Sequence, residues 1–251
     1  MNTIVLFNKK FVKTTLSEFV RELGNVVEEK RKVHIHTVNI DHLVIASKNI
    51  KFNSVMKNAD YLVADGMPIV WYSKLRRKNL PERITGVDLC YSLVEHSKEM
   101  GLKIFLLGAK EGIGIKAKEE LEKKYRDAQI VGVYSPGHDE INDLNKNNVI
   151  IDTINKSGAN VLFVALGAPK QEIWIYDNLS RLHTNINVGV GATLDFMSGE
   201  VSRAPKFFQN IGLEWFYRMI KDPKRLVKRY LVQDLYFFKL IIKDIFHGQK
   251  R

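Results

Sequence analysis

A carboxylate at a strand-to-helix junction is the first residue of this chain that could do chemistry. The apolar run Tyr61–Ala64 has the length of a short buried strand, Asp65 follows it directly, and a helical pattern begins near Met67. In an open α/β sheet such a junction lies at the carboxyl edge of the strands, where these sheets bind their ligands. Asp65 could therefore contact a ligand, or it could cap the helix through its side-chain oxygen. This stretch alone leaves both interpretations open.

An arginine lies in the basic loop that follows this helix. Arg83 comes shortly before Gly86, where a further helix is predicted to start and to run through Met100. A guanidinium can bind a phosphate or a carboxylate through two parallel hydrogen bonds. An ordinary solvated loop arginine fits the local sequence equally well.

Similar junctions recur along the chain, because polar or glycine residues follow each apolar run. Two of them, Thr37 and Asn39, come at the end of the run that begins at Val33. The others that could contact a ligand are Gly108 after residues 102–107, Tyr134 after residues 129–133, Gln171 after residues 160–166, and Asp195 after residues 187–190. The carboxyl ends of parallel strands meet at one edge of a sheet, so these residues are candidates for a shared site.

The glycines that follow residues 102–107 exclude two common nucleotide-binding motifs. Gly108, Gly112 and Gly114 allow a ligand to approach the backbone near a helix N-terminus. Their spacing is neither the dinucleotide-binding G-x-G-x-x-G nor a P-loop. The first strand does not lead into that fingerprint either, which argues against a nicotinamide-dependent oxidoreductase.

The order of the runs predicts an α/β fold. Apolar strands alternate with helices at least five times, which is typical of a Rossmann-like, mostly parallel sheet with helices on both faces. Ahead of these runs, Ile4–Phe7 predicts a small edge strand, and a helix is expected from Thr14 or Thr15 to Lys30.

Composition narrows the class of protein further. With 251 residues, 45% of them hydrophobic, the chain can bury a sizeable core. The single cysteine, Cys90, excludes an intrachain disulfide and a cysteine-cluster metal site, and it fits a reducing compartment. The N-terminus lacks the features of a signal peptide, and no run reaches the roughly 18 apolar residues of a spanning helix. We therefore expect a cytoplasmic protein.

Three histidines invite a metal-site interpretation. His34 and His36 lie within a strand-like run, and His42 follows it. Nothing in the sequence fixes the geometry of these three side chains relative to one another, as a metal would require. We expect neither a metal nor another cofactor.

Positive charge is concentrated in the last fifth of the chain. Residues 201–251 hold twelve Lys or Arg against four Asp or Glu, so +8 of the formal +11 lies there, together with ten of the 25 aromatic residues. A segment both basic and aromatic suits an anionic, partly apolar partner, either nucleic acid or an anionic membrane surface. We divide the chain into an α/β core, residues 1–200, and a helical appendage, residues 201–251.

The appendage contains three arginines that could point at one ligand. A break at Asp222-Pro223 separates two predicted helices. Arg225 and Arg229 are four residues apart and so share one helical face, and Arg218 lies on the preceding helix. A helix pair with a solvated basic face fits the charge pattern as well.

Several separated motifs together resemble one family, the WecG/TagA/CpsF glycosyltransferases (glycosyltransferase family 26). They span almost the whole chain in the family's order, which makes the resemblance far more specific than any single glycine turn. The matching residues are Thr37 and Asn39; Ala64-Asp65-Gly66; Pro81-Glu82-Arg83, Gly86 and Asp88; Leu106-Leu107-Gly108; Gly167-Ala168-Pro169-Lys170-Gln171-Glu172; Gly189-Val190-Gly191-Ala192 and Asp195; and Gly212-Leu213-Glu214-Trp215 with Arg218, Pro223, Arg225 and Arg229.

The resemblance implies an inverting transferase that moves a sugar from a UDP-sugar, typically UDP-N-acetylmannosamine, to N-acetylglucosamine on undecaprenyl diphosphate. Such enzymes act at the inner leaflet of the bacterial cell membrane and prime teichoic acid linkage units or related surface polysaccharides. The resemblance also implies an appendage that docks on the membrane and completes the active site. The expected partners are the UDP-sugar, the lipid-linked acceptor and an anionic membrane surface, with no nucleic acid.

The resemblance also gives the candidate residues their roles. Asp65 is the expected base that takes the proton from the acceptor hydroxyl, and Thr37 is placed with it in the catalytic group. The sequence contains no D-x-D metal motif, so protein cations are expected to stabilise the leaving diphosphate. These cations are Arg83, Arg218, Arg225 and Arg229, while Thr37, Asn39 and Gln171 are expected to bind the sugar, and Tyr134 and Asp195 the uridine.

Two alternatives remain open. A related enzyme could transfer another UDP-sugar, such as N-acetylmannosaminuronic acid, glucose or glucuronic acid, because discrimination rests on a few pocket contacts. A nucleic-acid-binding α/β protein that uses its basic tail is the alternative from a different class, and there replacement of Asp65 should leave binding intact. The sequence leaves the oligomeric state open and is compatible with a homo-oligomer.

Overall fold

The computed structural model describes residues 1–137, 139–210, 214–221 and 236–246. The strands are β1 (Thr3–Leu6), β2 (Lys9–Val12), β3 (Val33–Val38), β4 (Tyr61–Ala64), β5 (Ile104–Gly108), β6 (Ile130–Tyr134), β7 (Val161–Ala165) and β8 (Ile186–Gly189). The helices are α1 (Leu16–Glu28), α2 (Ile40–Lys48), α3 (Ile50–Asn58), α4 (Met67–Leu75), α5 (Gly86–Glu95), α6 (Ile113–Lys124), α7 (Leu144–Lys156), α8 (Lys170–Asn178), α9 (Thr193–Met197), α10 (Lys206–Asn210) and α11 (Glu214–Lys221). A further helical segment, residues 236–246, is called the C-terminal helix below.

The strands form one eight-stranded sheet in the order β1-β2-β4-β3-β8-β7-β5-β6. Only the β1–β2 hairpin is antiparallel, and the other neighbours pair in parallel. The predicted mostly parallel sheet is therefore confirmed. Because these strands run in one direction, their carboxyl ends share one edge, and the loops after β3, β4, β5, β7 and β8 all begin there.

Helices cover both faces of the sheet, as the alternation of strand side chains requires. In β5, Ile104 and Leu106 pack with residues of α1, α5, α6 and α9 on one face. Phe105 and Leu107 point the other way and pack with residues of α7 and α8. Every residue of β5 and β7 is buried, which explains why these strands appear in the sequence as continuous apolar runs.

The first predicted helix begins where its sequence indicates. Thr15 caps α1, its hydroxyl accepts from the Glu18 backbone N–H, and the Glu18 carboxylate accepts from the Thr15 N–H. This reciprocal pair satisfies two backbone donors that the first turn would otherwise leave unpaired.

The C-terminal helix packs against the α/β core. Phe237 is buried in the cluster that contains Phe11 and Leu62, with Leu240 and Ile241 beside it. Polar contacts fix the same face, because the Tyr72 hydroxyl donates to Asp244 Oδ2 at 2.8 Å and Arg76 Nη1 lies 3.3 Å from the same oxygen. Among the residues described, no helix is both long and apolar enough to cross a bilayer.

Two histidines of β3, His34 and His36, are buried, and the His36 ring stacks on Phe52 of α3. The rings of His34 and His36 lie 4.3 Å apart, and none of their four ring nitrogens has a hydrogen-bond partner. Burial lowers the pKa of His34 from 6.5 to about 4, and it lowers the pKa of His36 well below the usual value. Both side chains are therefore neutral in the folded protein near pH 7. In the described part of the chain, no group of three His, Cys, Asp or Glu side chains could hold a metal ion.

We expect these buried histidines to make the fold acid-sensitive. The unfolded chain takes up a proton at His34 below pH 6.5 and the folded chain only near pH 4, so stability falls as the pH drops between these values. The His34 contribution to this loss is about 2 kcal/mol between pH 7.5 and 5. Denaturant unfolding at both pH values measures it. Between pH 7.5 and 5, the free energy of unfolding of His34→Leu should fall by about 2 kcal/mol less than that of the wild type. The exposed control His183→Leu should show the same fall as the wild type. An equal loss in all three proteins would contradict this account.

Candidate active site

Asp65 stands at the carboxyl end of β4, and it does not cap the following helix. The N-cap of α4 is Gly66, and no side chain caps that helix. The capping interpretation of Asp65 is therefore wrong. Its backbone N–H donates to the Val38 carbonyl at 2.8 Å, and the Ile84 N–H donates to the Ala64 carbonyl at 2.9 Å. These two bonds hold the ends of β3 and β4 and the loop that carries Arg83 next to one another.

The surroundings of Asp65 give its carboxyl the properties of a proton acceptor. Burial raises the pKa of Asp65 to about 7, while the positive charge of Arg83 opposes that rise. His42 and a hydrogen bond from the Gly86 N–H also favour the ionised form, and the negative charge of Glu214 disfavours it. A carboxylate with a pKa near the working pH can accept a proton in a transition state and release it afterwards.

A chain of ion pairs ties α11 to this edge of the sheet. Arg83 Nη1 lies 3.6 Å from Glu214 Oε2, and both side chains are more than four-fifths buried. Glu214 also accepts from Arg203 Nε at 3.3 Å, and Arg203 Nη1 donates to Asp88 Oδ1 at 2.6 Å. Burial alone would raise the pKa of Asp88, but hydrogen bonds from Arg203 and Thr85 and the charges of Arg203 and Arg83 together hold it below its usual value. We call Arg83, Glu214, Arg203 and Asp88 the bridging network.

Thr37 and Asn39 lie beside Asp65 on the neighbouring strand. Thr37 is buried at the end of β3 and lies close to Gly86. If Gly86 carried a side chain, its Cβ would lie 3.3 Å from Thr37 Oγ1. Asn39 caps α2, where its Oδ1 accepts from the His42 N–H at 3.2 Å. Asn39 also lies next to Gly66, because a Cβ added to Gly66 would be 4.0 Å from Asn39 Cβ. The predicted neighbours Thr37, Asn39, Asp65 and Arg83 therefore share one end of the β3–β4 pair.

Gln171 is buried and joins two of the loops at this edge. Its Oε1 accepts from the backbone N–H groups of Gly167 at 3.1 Å and Gly191 at 2.9 Å. Its Nε2 donates to Glu172 Oε1 at 2.6 Å. These bonds occupy both ends of the amide, so Gln171 holds the β7 and β8 loops together in this structure.

His42 extends this polar group toward Asp65. Its Nε2 lies 3.4 Å from Glu172 Oε1, and its Nδ1 lies 2.9 Å from Asn39 Oδ1. Burial by itself would lower the pKa of His42, but the hydrogen bond and charge of Glu172 and the charges of Asp41 and Asp65 together outweigh it, and the pKa is raised. A protonated His42 donates at both nitrogens. When it is protonated, His42 adds a positive charge near the predicted base, and that charge favours the ionised form of Asp65.

The chain reverses its direction along the sheet between β5 and β7. After β5 the chain turns outward to β6, whereas after β7 it turns inward to β8, and ligands of open α/β sheets bind at such a point. Gly108 closes β5 with φ +104°, and a Cβ there would lie 2.5 Å from the Ala165 carbonyl oxygen. Only glycine fits this approach.

Tyr134 lies on β6, next to this reversal point and far from Asp65. It pairs in register with Leu107 of β5, and its hydroxyl donates to Glu140 Oε2 at 3.2 Å. Four strand spacings separate β6 from β3, which amounts to about 19 Å. A ligand that contacts both Tyr134 and Thr37 must therefore be extended along the edge of the sheet.

The remaining predicted residues are only partly placed. Asp195 lies in the first turn of α9, half-buried, and its backbone carbonyl accepts from Ser198 Oγ at 2.9 Å. Arg218 lies on α11, but its side chain is outside the described part of the structure. Arg225 and Arg229 lie outside the described residues.

Sequence reasoning did not assign roles to three residues of this site. Glu214 contacts Arg83, Arg203 contacts Glu214, and His42 lies near Asp65, yet the three come from distant parts of the chain. The only sequence signal for Glu214 was its place in the Gly212-Leu213-Glu214-Trp215 motif. Arg203 follows the core directly and carries no motif of its own.

Comparison with known proteins shows which family the chain belongs to. A model of the glycosyl transferase WecG/TagA/CpsF family matches residues 4–251. One relative, the N-acetylglucosaminyldiphosphoundecaprenol N-acetyl-beta-D-mannosaminyltransferase of Bacillus spizizenii strain W23, is 31% identical over 226 residues, which cover 90% of this chain and 86% of that protein. The protein of the same name from Bacillus subtilis strain 168 is 29% identical over the same shares. The chain therefore belongs to the WecG/TagA/CpsF family of glycosyl transferases.

Proposed function

We propose that this protein transfers N-acetylmannosamine from UDP-N-acetylmannosamine to the N-acetylglucosamine of undecaprenyl-diphosphate-linked N-acetylglucosamine. The names of the two relatives support the sugar and the acceptor. The observation that carries the proposal is Asp65, with a pKa of about 7, beside the positive charge of Arg83 at the carboxyl edge of the sheet. Teichoic acid or related surface-polysaccharide synthesis is the pathway class that would use this product.

The proposed reaction is a single displacement. The acceptor hydroxyl attacks the anomeric carbon from the face opposite UDP, Asp65 takes the hydroxyl proton, and the bond to the diphosphate oxygen breaks. Attack from the opposite face inverts the configuration of that carbon. Arg83 provides positive charge where the diphosphate leaves, so that the departing electrons meet a preorganised cation.

The other candidate residues divide along the edge of the sheet. Thr37 and Asn39 are proposed to bind the transferred sugar, because they adjoin Asp65. Tyr134 is proposed to stack on the uracil at the far end of the extended nucleotide. Gln171 is proposed to shape the sugar site by holding its two loops. Asp195 is proposed to bind the uridine, and Arg218, Arg225 and Arg229 to add positive charge near the diphosphate.

The lipid-linked acceptor requires the protein to work at a membrane, and the C-terminal helix supports that. Phe238, Ile242 and Phe246 follow one another at four-residue spacing and are 62%, 55% and 66% exposed. Lys239 and Lys243 lie beside them and are also exposed. An apolar stripe flanked by lysines suits a helix lying in an anionic membrane surface. We propose peripheral binding at the inner face of the bacterial cell membrane.

A donor screen tests this function. Purified protein is incubated with a polyprenyl-diphosphate N-acetylglucosamine acceptor and separate UDP-sugars, with and without a chelator, and the lipid product is analysed by mass spectrometry. We expect a mass gain with UDP-N-acetylmannosamine in both conditions. A gain with a different sugar alone would overturn the assigned donor and retain the reaction class. A strict requirement for a divalent ion would contradict the role given to Arg83, and no gain with any donor would contradict the proposed function.

A further inference from the structure

A cavity lies away from the proposed active site. It has a volume of about 670 Å³ and lies between the β1–β2 hairpin, helices α2 and α3, and the C-terminal helix. That volume is within the range of roughly 300–1,000 Å³ typical of ligand sites. Lys9 opens β2 and Lys57 precedes β4, so the cavity lies toward the amino ends of these parallel strands. Asp65 stands at the opposite edge of the sheet.

The cavity is strongly positive. Among the described residues that line it, six are Lys or Arg and one, Asp244, is a carboxylate. That carboxylate already binds Arg76 and the Tyr72 hydroxyl. The lining therefore carries positive charge that the carboxylate does not balance, which is the condition for binding an anion.

Lys9 is the most informative of these cations. Its side chain is only 6% exposed, and its Nζ donates to the uncharged Asn53 Oδ1 at 2.6 Å. Burial and, to a smaller extent, the nearby charge of Lys57 lower the pKa of Lys9 to about 8. An ammonium has three donors, and a buried charge is costly unless it is paired. An anion in the cavity would supply the missing negative charge.

The cavity also has an apolar wall next to this charge. Phe7, Leu43 and Leu240 line it together with the lysines. A small inorganic anion would leave that wall in contact with water. An amphiphile with a phosphate group and an apolar part matches both halves of the lining.

The C-terminal helix places the cavity next to the proposed membrane contact. Successive residues of a helix are about 100° apart. Lys239 and Lys243 therefore lie between the exposed stripe of Phe238, Ile242 and Phe246 and the side of the helix that faces the cavity. If the stripe lies among acyl chains, these lysines lie at the level of the lipid headgroups, where the cavity opens.

We infer that this cavity binds the phosphate headgroup of an anionic phospholipid, with Lys9 as the buried anchor. The inference rests on the membrane contact proposed above, and it adds a specific lipid site to it. Phosphatidylglycerol is the probe lipid, because its headgroup carries one phosphate diester and no compensating amine.

Protection of Lys9 from acylation tests this site. The full-length protein is treated with an amine-acylating reagent, and the labelling of Lys9 is compared by peptide mass spectrometry with that of Lys10, its exposed neighbour on β2. We expect phosphatidylglycerol vesicles to reduce labelling of Lys9 at least fivefold relative to Lys10, and phosphatidylcholine vesicles to leave the ratio unchanged. Equal labelling ratios with both vesicles would overturn the proposal. Equal protection by soluble glycerol phosphate would overturn the lipid as the source of the phosphate.

Substitution gives an independent measurement. Lys9→Met should weaken binding to phosphatidylglycerol vesicles about fivefold, the usual effect of one lysine at an anionic surface. Lys10→Met removes the same charge outside the cavity and should change binding less than twofold. Equal weakening in the two variants would contradict a specific site.

Failure of this inference and failure of the proposed function give different results. If the protein binds vesicles and transfers sugar but Lys9 is not protected, the lipid site is contradicted and the proposed function stands. Protection of Lys9 in a protein that transfers no sugar would retain the lipid site and remove the function.

Discussion

Replacing Asp65 with asparagine should lower the rate of sugar transfer about a thousandfold, within the range expected for loss of a general base. Asparagine keeps the shape of the side chain but cannot take the acceptor proton. UDP affinity should stay within about twofold of the wild type, because the proposed role of Asp65 is in proton transfer. Initial rates with the lipid-linked acceptor and calorimetric titration with UDP measure the two quantities.

A surface carboxylate provides the matched control. Asp127 pairs with Lys98 at 2.9 Å on the exposed surface, so Asp127→Asn removes the same charge away from the site. We expect its rate and UDP affinity to equal those of the wild type. Normal transfer by Asp65→Asn would end the assignment of Asp65 as the base.

Replacing Arg83 with glutamine should change both the size and the pH dependence of the rate. Loss of the cation beside the leaving diphosphate should lower the rate of sugar transfer about 100-fold to 1,000-fold. In the wild type, kcat/KM should fall tenfold per pH unit below about 7, because only ionised Asp65 accepts the proton. We call the pH at which this fall begins the break of the profile. The positive charge of Arg83 lowers the pKa of Asp65, so removal of that charge should move the break to higher pH.

Two further variants separate charge from general damage to the site. Arg83→Lys keeps the charge and should keep the break near pH 7, although it loses the planar fork that binds a diphosphate in two places. Glu214 raises the pKa of Asp65, so Glu214→Gln should move the break to lower pH. Shifts of opposite sign are the expected result. An unchanged break in both Arg83→Gln and Glu214→Gln would contradict the electrostatic coupling of these residues to Asp65.

The sequence predicted the part of this fold that depends on local pattern. The buried runs that became β5 and β7 are apolar throughout because helices cover both of their faces, and such runs are visible without a structure. Asp65, Thr37 and Gly108 were found as candidates because they follow such runs. The strand ends thus determine which residues meet at the edge of the sheet.

The β1–β2 hairpin shows where local pattern fails. β2 was not predicted, because its sequence, Lys9–Val12, opens with two lysines and its turn lacks the usual Asn-Gly or Asp-Gly pair. Phe7 and Asn8 both adopt positive φ, 52° and 54°, to make that turn. A bulky residue such as phenylalanine rarely adopts positive φ, so the sequence does not predict this turn.

The bridging network depends on distances that no local pattern contains. Arg83 and Glu214 are 131 positions apart in the sequence, yet their side chains meet at 3.6 Å. The sequence identified Arg83 as a candidate cation for a diphosphate, but not the carboxylate that it contacts. Likewise, the amide of Gln171 was expected to face a sugar, whereas two backbone N–H groups occupy its oxygen here. Its assignment to the sugar site stays a prediction.

The anomeric configuration of the donor-screen product tests the central claim most directly. With an α-linked UDP-sugar, a single displacement assisted by Asp65 must give a β-linked disaccharide, which one-bond carbon–hydrogen coupling in the NMR spectrum of the released product can identify. We predict the β linkage alone. An α linkage would mean that the configuration is retained, and it would contradict a one-step transfer at this site.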